Sequence, residues 1–188
     1  SAQFKDSFMK KSYMFLMVWL LLLPNLTYAN SYAPLANFSA VRQQAECQLT
    51  TLHESLLQDW TPPADFFLVP AYPQAKLASA FPSGTANIKG KDYKTFPSAM
   101  LLSTDSPTVI IEFYKKSLGR GWHETQHQGL TYIYRMPRPV SSGADLTKQL
   151  MSRPGYTPHI AVDTDLKPCD QHLVADAKTR ITIVAAPR

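Results

Sequence analysis

The 188-residue sequence predicts a single α+β domain in which a twisted, mostly antiparallel sheet carries a long N-terminal helix and a central helix on one face. Two segments show apolar residues at helical spacing, which predicts the helices. The strand candidates alternate apolar and polar residues, as antiparallel strands with one solvated face do. An apolar share of 45% is close to that of folded domains, so we expect an ordered chain without repeats or low-complexity segments.

The first thirty residues differ from the rest of the chain and predict a secretory signal peptide. Lysines precede an apolar run at residues 14–23, and the small residues Thr27 and Ala29 follow it at A-x-A-like spacing, which is the pattern of a cleavable leader. The run is shorter than the ~20 residues that a membrane-spanning helix needs, and an uncleaved anchor is the alternative. We expect cleavage after Ala29, with residues 1–8 as an upstream extension or an expression remnant and 30–188 as the single domain.

Apolar periodicity predicts two main helices. The first runs for about six turns and ends at the prolines 62–63. Its apolar face comprises Phe38, Val41, Ala45, Leu49, Leu52, Leu56 and Trp60. In the second helix, Ser106 supplies an N-cap, Pro107 takes the first helical position, and Gly119 ends the helix. A third, short helix is expected at 145–151.

Strands are predicted where apolar residues alternate or cluster between turn signals. We expect them at 66–69, 77–81, 98–104, 122–126, 130–136, 160–164 and 180–184. A Gln-Gly turn at 128–129 should join two of them into a hairpin. In the strand at 77–81, Leu77, Ser79 and Phe81 should share one side of the pleat. The Gly, Asn and Lys residues at 83–92 predict an exposed loop.

The two cysteines predict a disulfide bond. Export leads to a compartment in which disulfides persist, so we expect Cys47 and Cys169 to pair, with two separate thiols as the alternative. In the loop-entropy description, a bridge that closes so long a loop stabilises a fold by about 4–5 kcal/mol. Cys47 lies away from the apolar face of the first predicted helix, so the bridge requires the chain near Cys169 to cover the outer side of that helix.

Charge and motif content exclude several classes of function. The net charge of +5 comes from scattered residues without basic runs, so we expect no nucleic-acid partner. The sequence has no G-x-S-x-G elbow, no S-x-x-K signature, no phosphate-binding glycine loop and no C-x-x-C pair. It therefore indicates no catalytic residue and no cofactor.

Histidine and aspartate residues give weak candidates for metal ligands. His123 and His127 lie four positions apart, but on a strand this spacing separates them by about 13 Å, too far for one ion. The other candidates lie near the C-terminus: His159, Asp163, Asp165, Asp170, His172 and Asp176. This segment lacks the glycine and the terminal glutamate of an EF-hand loop, which favours a solvated loop over a cation site.

Aromatic side chains offer a candidate binding surface for a peptide, a glycan or a lipid. The candidates are Tyr72, Tyr93, Trp122, Tyr132 and Tyr134. The same side chains suit core and cross-strand packing, which we favour because most of them lie where the strand or helix pattern requires burial.

Two segments resemble a pattern of small exported bacterial domains and lipoproteins of uncharacterised function. Residues 72–76 read YPQAK, and residues 103–122 read STDSPTVIIEFYKKSLGRGW. The resemblance implies a bacterial envelope protein in which a helix packs on an antiparallel sheet, and it brings no catalytic residues with it. No acceptor cysteine follows the predicted leader, in contrast to the lipoprotein members.

These observations lead us to expect a soluble periplasmic or secreted binding or accessory module without catalytic activity. Its partner would be an envelope protein, a peptide or a glycan, and it would meet the membrane only through the leader before cleavage. An envelope hydrolase or metal-dependent enzyme that uses His159, Asp163, Asp165 or His172 is one alternative. A subunit of a secretion or pilus-type assembly is the other.

Overall fold

A six-stranded antiparallel sheet dominates the part of the protein that the computed structural model describes, which comprises residues 32, 62–63, 66–152 and 157–186. The strands are β1 (Lys76–Phe81), β2 (Gly84–Ile88), β3 (Lys91–Thr95), β4 (Ser98–Ser103), β5 (Trp122–His127), β6 (Leu130–Arg135), β7 (His159–Asp163) and β8 (Thr179–Val184). The helices are α1 (Pro107–Ser117), α2 (Gly143–Ser152) and α3 (Pro168–Leu173). The sheet order is β1-β4-β8-β7-β6-β5, and β2 pairs separately with β3. The predicted α+β class is confirmed.

One face of the sheet, which we call the core face, packs against α1 and residues 66–75. Alternate side chains of the central strands point to this face because successive strand residues face opposite sides. They include Ala99, Leu101, Ile160, Val162, Ile181 and Ile183, all buried. From α1, Ile110 and Tyr114 are fully buried against them. The predicted central helix is confirmed.

The start of α1 is fixed by the residue before its N-cap. Ser106 occupies the N-cap position with an extended backbone, and Pro107 begins the helix as predicted, but the Ser106 side chain makes no capping hydrogen bond. Instead, Asp105 is held from two sides: the Tyr72 hydroxyl donates to its carboxylate at 2.7 Å, and the Thr179 hydroxyl donates to its backbone oxygen at 2.8 Å. These bonds anchor the first turn of α1 to the core and to β8.

A β-bulge in β1 changes which side chains face the core. Leu77 pairs with Leu101 of β4. Ser79, two residues further on, pairs with the adjacent Met100, so β1 has one residue more than its partner here. Leu77 lies on the core face, whereas Ser79 and Phe81 lie on the opposite face. The prediction that these three share one side is wrong because the extra residue reverses the alternation.

Two hairpins turn through pairs of residues in the left-handed region. Gln128 and Gly129, with φ of 50° and 82°, connect β5 to β6 and confirm the predicted hairpin. Lys89 and Gly90, with φ of 52° and 79°, connect β2 to β3 in the same way. The prediction of a loop at 83–92 is therefore wrong. This second hairpin is mostly exposed, so its sequence lacks the apolar alternation that marks a strand.

Three further predictions concern segments beside these strands. Residues 66–69 form no regular strand, although Phe67 and Val69 are buried and the Leu68 N–H donates to the Ala186 oxygen at 3.2 Å. Pro70 ends any pairing there, because proline lacks the N–H that a ladder needs. The short helix expected at 145–151 is confirmed as α2. The long helix predicted at 38–60 lies outside the described residues.

Helices lie on both faces of the sheet. α3, which the sequence analysis does not predict, covers the face opposite the core beside β1, β4 and β8. The N-terminal residue of α2, Gly143, lies directly against Gln126 and His127 of β5. α3 gave no amphipathic signal in the sequence analysis because a helix of six residues is too short to show this periodicity.

Candidate functional site

A cavity of about 310 Å³, which we call the α3 cavity, lies between α3 and the sheet face opposite the core. Its lining residues are Ala78, Ser79, Phe81, Met100, Lys167, Cys169, Asp170, Leu173 and Arg180. The surface that these residues present is mostly apolar. Ligand sites in proteins are typically concave and mostly apolar, with a few polar groups that converge on the ligand. The α3 cavity has this composition and is the candidate functional site.

The bulge in β1 builds the sheet side of the α3 cavity. Because the alternation reverses after the bulge, Ser79 and Phe81 face α3 next to Met100 of β4. Without the extra residue, both side chains would point into the core, where Ala80 now packs. The irregularity therefore places an aromatic ring at the cavity and a small residue in the core.

Arg180 links α3 to the sheet through two carboxylates. Its guanidinium projects from β8 and donates through Nη2 to Asp170 of α3. Its Nη1 lies 3.5 Å from the Oδ2 atom of Asp163 at the end of β7. Asp170 is only 4% exposed and also accepts a 2.8 Å hydrogen bond from the Lys167 backbone N–H. The network holds the first turn of α3 over the cavity, and its burial makes the loss of one partner costly.

This pairing determines which chemistry the cavity suits. The charge of Arg180 is offset by two carboxylates, and the Lys167 ammonium bonds to Asp165 at 2.7 Å. The cavity therefore lacks an uncompensated charge at these residues and favours an uncharged, apolar group. Asp163 and Asp170 are held by Arg180, so neither is poised as a general base, which must reach the proton of a substrate.

The structure brings Asp163 and Asp170 together at the Arg180 guanidinium but does not group the suggested metal ligands into a metal site. His159 and Asp163 lie at opposite ends of β7, so their backbones are about 13 Å apart. Asp165 is exposed, and the hydrogen bond and charge of Lys167 lower the pKa of its carboxyl. His172 is exposed on α3. Within the described ranges, no three His, Cys, Asp or Glu side chains are grouped so that they could hold a metal ion.

The strand histidines are engaged in local packing. The Nδ1 atom of His159 lies 2.7 Å from the Thr157 oxygen, and burial lowers the pKa of this imidazole in spite of that hydrogen bond. His123 places Nε2 at 3.1 Å from the Met136 oxygen, and its ring centroid lies 5.6 Å from that of Tyr134. Both rings therefore support the sheet face opposite the core.

Tyr72, the first of the aromatic candidates, lies in the core. Its ring meets Phe113 edge to face at a centroid distance of 5.2 Å. Burial, together with the hydrogen bond to Asp105, raises the pKa of its hydroxyl to about 12. The side chain anchors α1 and is not available to a ligand, because it is only 6% exposed.

The other four aromatic candidates lie in three different places. Trp122 packs against the edge of the core. Tyr132 and Tyr134 lie on the opposite face, where Tyr134 is buried and its hydroxyl accepts a hydrogen bond from the Val140 N–H at 2.9 Å. Tyr93 lies on β3, with the Lys91 ammonium 5.5 Å from its ring centroid. The five side chains therefore do not line one groove.

Cys169 lines the α3 cavity from the first turn of α3. The described residues include no free cysteine. Cys47, the predicted disulfide partner of Cys169, lies outside these residues, so the pairing stays a prediction. In the same part of the chain, none of the helices has the length and apolar character needed to cross a membrane.

The network that organises the cavity leaves no pattern in the sequence, although one signal for α3 is present. Pro168 follows Lys167, and Asp170 comes two residues later, which is the pattern of a helix start with an acidic first turn. The ion pairs of Arg180 carry no such signal, because they join residues from three elements that only the folded sheet brings together.

Comparison of the chain with family models, curated proteins and solved structures finds no match. The resemblance of residues 72–76 and 103–122 to a pattern of exported domains therefore stays a prediction from the sequence. The function proposed below rests on the residues of this chain.

Proposed function

We propose that the protein is an exported binding module that holds an apolar side chain of an envelope peptide or protein in the α3 cavity and catalyses no reaction. The observation that carries the proposal is the cavity itself, which is mostly apolar and lies over an ion-paired, rigid part of the sheet. The carboxylates nearest to it are held by Arg180, which supports binding over acid–base chemistry.

The size and lining of the cavity support one apolar side chain as the occupant. A volume of about 310 Å³ lies at the lower end of the range of about 300–1,000 Å³ that ligand pockets show. Phe81 of the sheet and Leu173 of α3 both line it, and Met100 adds a flexible thioether that adapts to different shapes. These groups favour the burial of an apolar side chain and provide no charged partner for an ionised one.

A nuclear magnetic resonance titration tests this function. The protein is labelled at its methionine methyl groups and titrated with N-acetyl-phenylalanine amide, an uncharged model of a peptide side chain. We expect a saturable shift of the Met100 methyl signal, because this residue lines the cavity. The Met151 methyl signal serves as an internal control, since Met151 is 74% exposed and lies outside the cavity.

Cavity-filling variants complete the experiment. Ala78→Leu and Leu173→Trp each add volume inside the cavity and should abolish the Met100 shift. Ala144→Leu makes the same change as the first variant at an exposed site of α2 and should leave the shift intact. A Met100 signal that does not respond, or that responds equally in the filled variants, would refute the proposed binding site.

Export and the Cys47–Cys169 bridge are part of the same proposal. The lysines, apolar run and small residues before residue 30 support export, and the lack of a free cysteine among the described residues is consistent with the bridge. Mass spectrometry of the protein from its native host, before and after reduction and alkylation, tests both features. We expect a mass that begins after Ala29 and two thiols that react only after reduction. An intact leader with two reactive thiols would contradict the proposal.

A further inference from the structure

A second concave region opens at the end of the sheet where β5 begins and β6 ends. This region, which we call the arginine cleft, has a volume of about 490 Å³. It is lined by Arg120, Gly121, Arg135, Met136, Pro137 and Pro158. Arg120 and Gly121 come from the connection between α1 and β5. Arg135 ends β6, Met136 and Pro137 follow it, and Pro158 precedes β7. Three separate parts of the chain thus meet at one opening.

Backbone hydrogen bonds hold the walls of the arginine cleft together. The Met136 N–H donates to the Gly121 oxygen at 3.2 Å, and the Arg135 N–H donates to the Pro158 oxygen at 2.9 Å. Gly121 has a φ of 89°, a conformation that other residues rarely adopt, so the turn that follows Arg120 depends on glycine. The two arginine backbones are therefore fixed relative to each other, which lowers the ordering cost of binding.

The charges of this cleft are uncompensated, in contrast to those at the α3 cavity. Arg120 and Arg135 are both exposed, and the ion pairs of the described residues involve Lys115, Lys167 and Arg180 instead. Glu124 of β5 is the acidic residue nearest in sequence to these walls, and its carboxylate lies 3.4 Å from the Lys115 ammonium; residues 113–123, 125–144 and 157–162 contain no Asp or Glu. Two guanidinium groups at one opening repel each other, and an anion between them removes that repulsion.

We propose that the arginine cleft binds the phosphoryl group of a phosphate ester. A guanidinium presents forked N–H donors that match phosphate oxygens, and two such groups match the charge of about −2 on a phosphomonoester. Met136, Pro137 and Pro158 offer apolar surface beside the arginines for the organic part of the ester. The volume of the cleft suits such a ligand better than a bare ion.

This site is separate from the α3 cavity and does not depend on the function proposed above. Pro158 lines the cleft immediately before β7, and Asp163 of the Arg180 network ends β7. The backbones of Pro158 and Asp163 are therefore about 17 Å apart. The two sites share no lining residue. Failure of one binding experiment therefore says nothing about the other.

Isothermal titration calorimetry with phenyl phosphate, in a phosphate-free buffer of low ionic strength, tests the inference on the full chain. We expect saturable binding at one site per molecule. Arg120→Gln and Arg135→Gln should each weaken binding about tenfold or more, because each removes charge-assisted hydrogen bonds. Both residues are exposed, so these variants should unfold at the same temperature as the parent protein.

Matched controls separate a built site from general attraction of anions. Arg138→Gln removes the same charge next to Pro137 but outside the lining, and it should change the affinity by less than about twofold. Benzoate, a monoanion of similar size, should bind more weakly than phenyl phosphate. Absence of saturable binding, an equal loss in Arg138→Gln, or equal affinity for benzoate would overturn the inference.

Two further measurements distinguish a lipid headgroup from a soluble ester as the ligand and test whether the two sites are independent. Sedimentation with vesicles of phosphatidic acid, but not of phosphatidylcholine, would assign a lipid headgroup, whereas no sedimentation would assign a soluble ester. The Ala78→Leu variant should bind phenyl phosphate as the parent does. Loss of that binding in Ala78→Leu would contradict the independence of the two sites.

Discussion

The contact between α2 and β5 allows the effect of a single added methyl group to be worked out. A Cβ atom on Gly143 would lie 2.1 Å from the Gln126 oxygen and 2.8 Å from both the Gln126 carbonyl carbon and the His127 Cβ. Two of these three atoms belong to the backbone of a paired strand, so they cannot move aside without disturbing β5. Gly143→Ala should therefore push the first turn of α2 away from the sheet.

The expected cost follows from what α2 loses when it moves. Leu146, one turn further along α2, is completely buried, and exposing such a side chain costs about 2–3 kcal/mol. Overpacking in proteins typically costs 1–3 kcal/mol, so the two routes give similar values. We expect Gly143→Ala to lower the free energy of unfolding by about 2–3 kcal/mol. For a chain of this length, that corresponds to a fall in melting temperature of about 5–10 °C.

Urea unfolding followed by tryptophan fluorescence measures this change, and Gly119→Ala is the matched control. A Cβ atom on Gly119 meets nothing within 4 Å, and its φ lies outside the left-handed region. The control should therefore stay within about 0.5–1 kcal/mol of the parent protein. Faster tryptic cleavage at Lys148 in Gly143→Ala alone would locate the defect in α2. Equal stability of the two alanine variants would refute the reasoning.

Three other predictions follow from buried polar groups. Asp170→Asn should lower the free energy of unfolding by about 2–3 kcal/mol, because Arg180 then keeps only Asp163 as a charged partner. The exposed Asp165→Asn should leave it nearly unchanged in the same urea assay. The pKa of Tyr72 is raised from 10.0 to about 12, so the folded state holds the hydroxyl proton more tightly than the unfolded state does. The contribution of Tyr72 to stability should therefore be lost as the pH rises from 10 to 12. Tyr72→Phe should reduce this pH-dependent loss in unfolding curves, and an unchanged loss would contradict the assignment. The pKa of His159 is lowered from 6.5 by burial, so its contribution to stability is present above pH 6.5 and should be lost as the pH falls below that value. His159→Asn should reduce this loss, as measured by melting temperature between about pH 7.5 and 5, and an unchanged loss would contradict the assignment.

The elements that sequence analysis predicts correctly are those whose signals are local. Pro107 and the apolar spacing after it mark α1, and the Gln128-Gly129 turn between alternating segments marks the hairpin of β5 and β6. Each signal lies within about ten residues of the element that it predicts. Such elements form wherever the local pattern and the tertiary packing agree.

The features that sequence analysis does not predict depend on packing or on distant residues. The bulge in β1 appears only when Leu77 and Ser79 are aligned with β4. The hairpin of β2 and β3 is mostly exposed, so burial leaves no clear pattern in its sequence. The two candidate sites are not predicted from the sequence because their residues are distant in the chain. Arg180 meets Asp163 and Asp170 only through the order of the strands in the sheet. The two arginines of the arginine cleft lie fifteen positions apart.

The position of the β2–β3 hairpin has a consequence for protein engineering. Phe81 and Ser98 form the last residue pair between β1 and β4. The hairpin of β2 and β3 extends beyond this pair as a separate arm of the chain. Shortening the arm to a tight turn would leave every strand of the main sheet with its present neighbours. The tip at Lys89-Gly90, which lines neither candidate site, is thus a natural point for grafting an epitope or attaching a fluorophore.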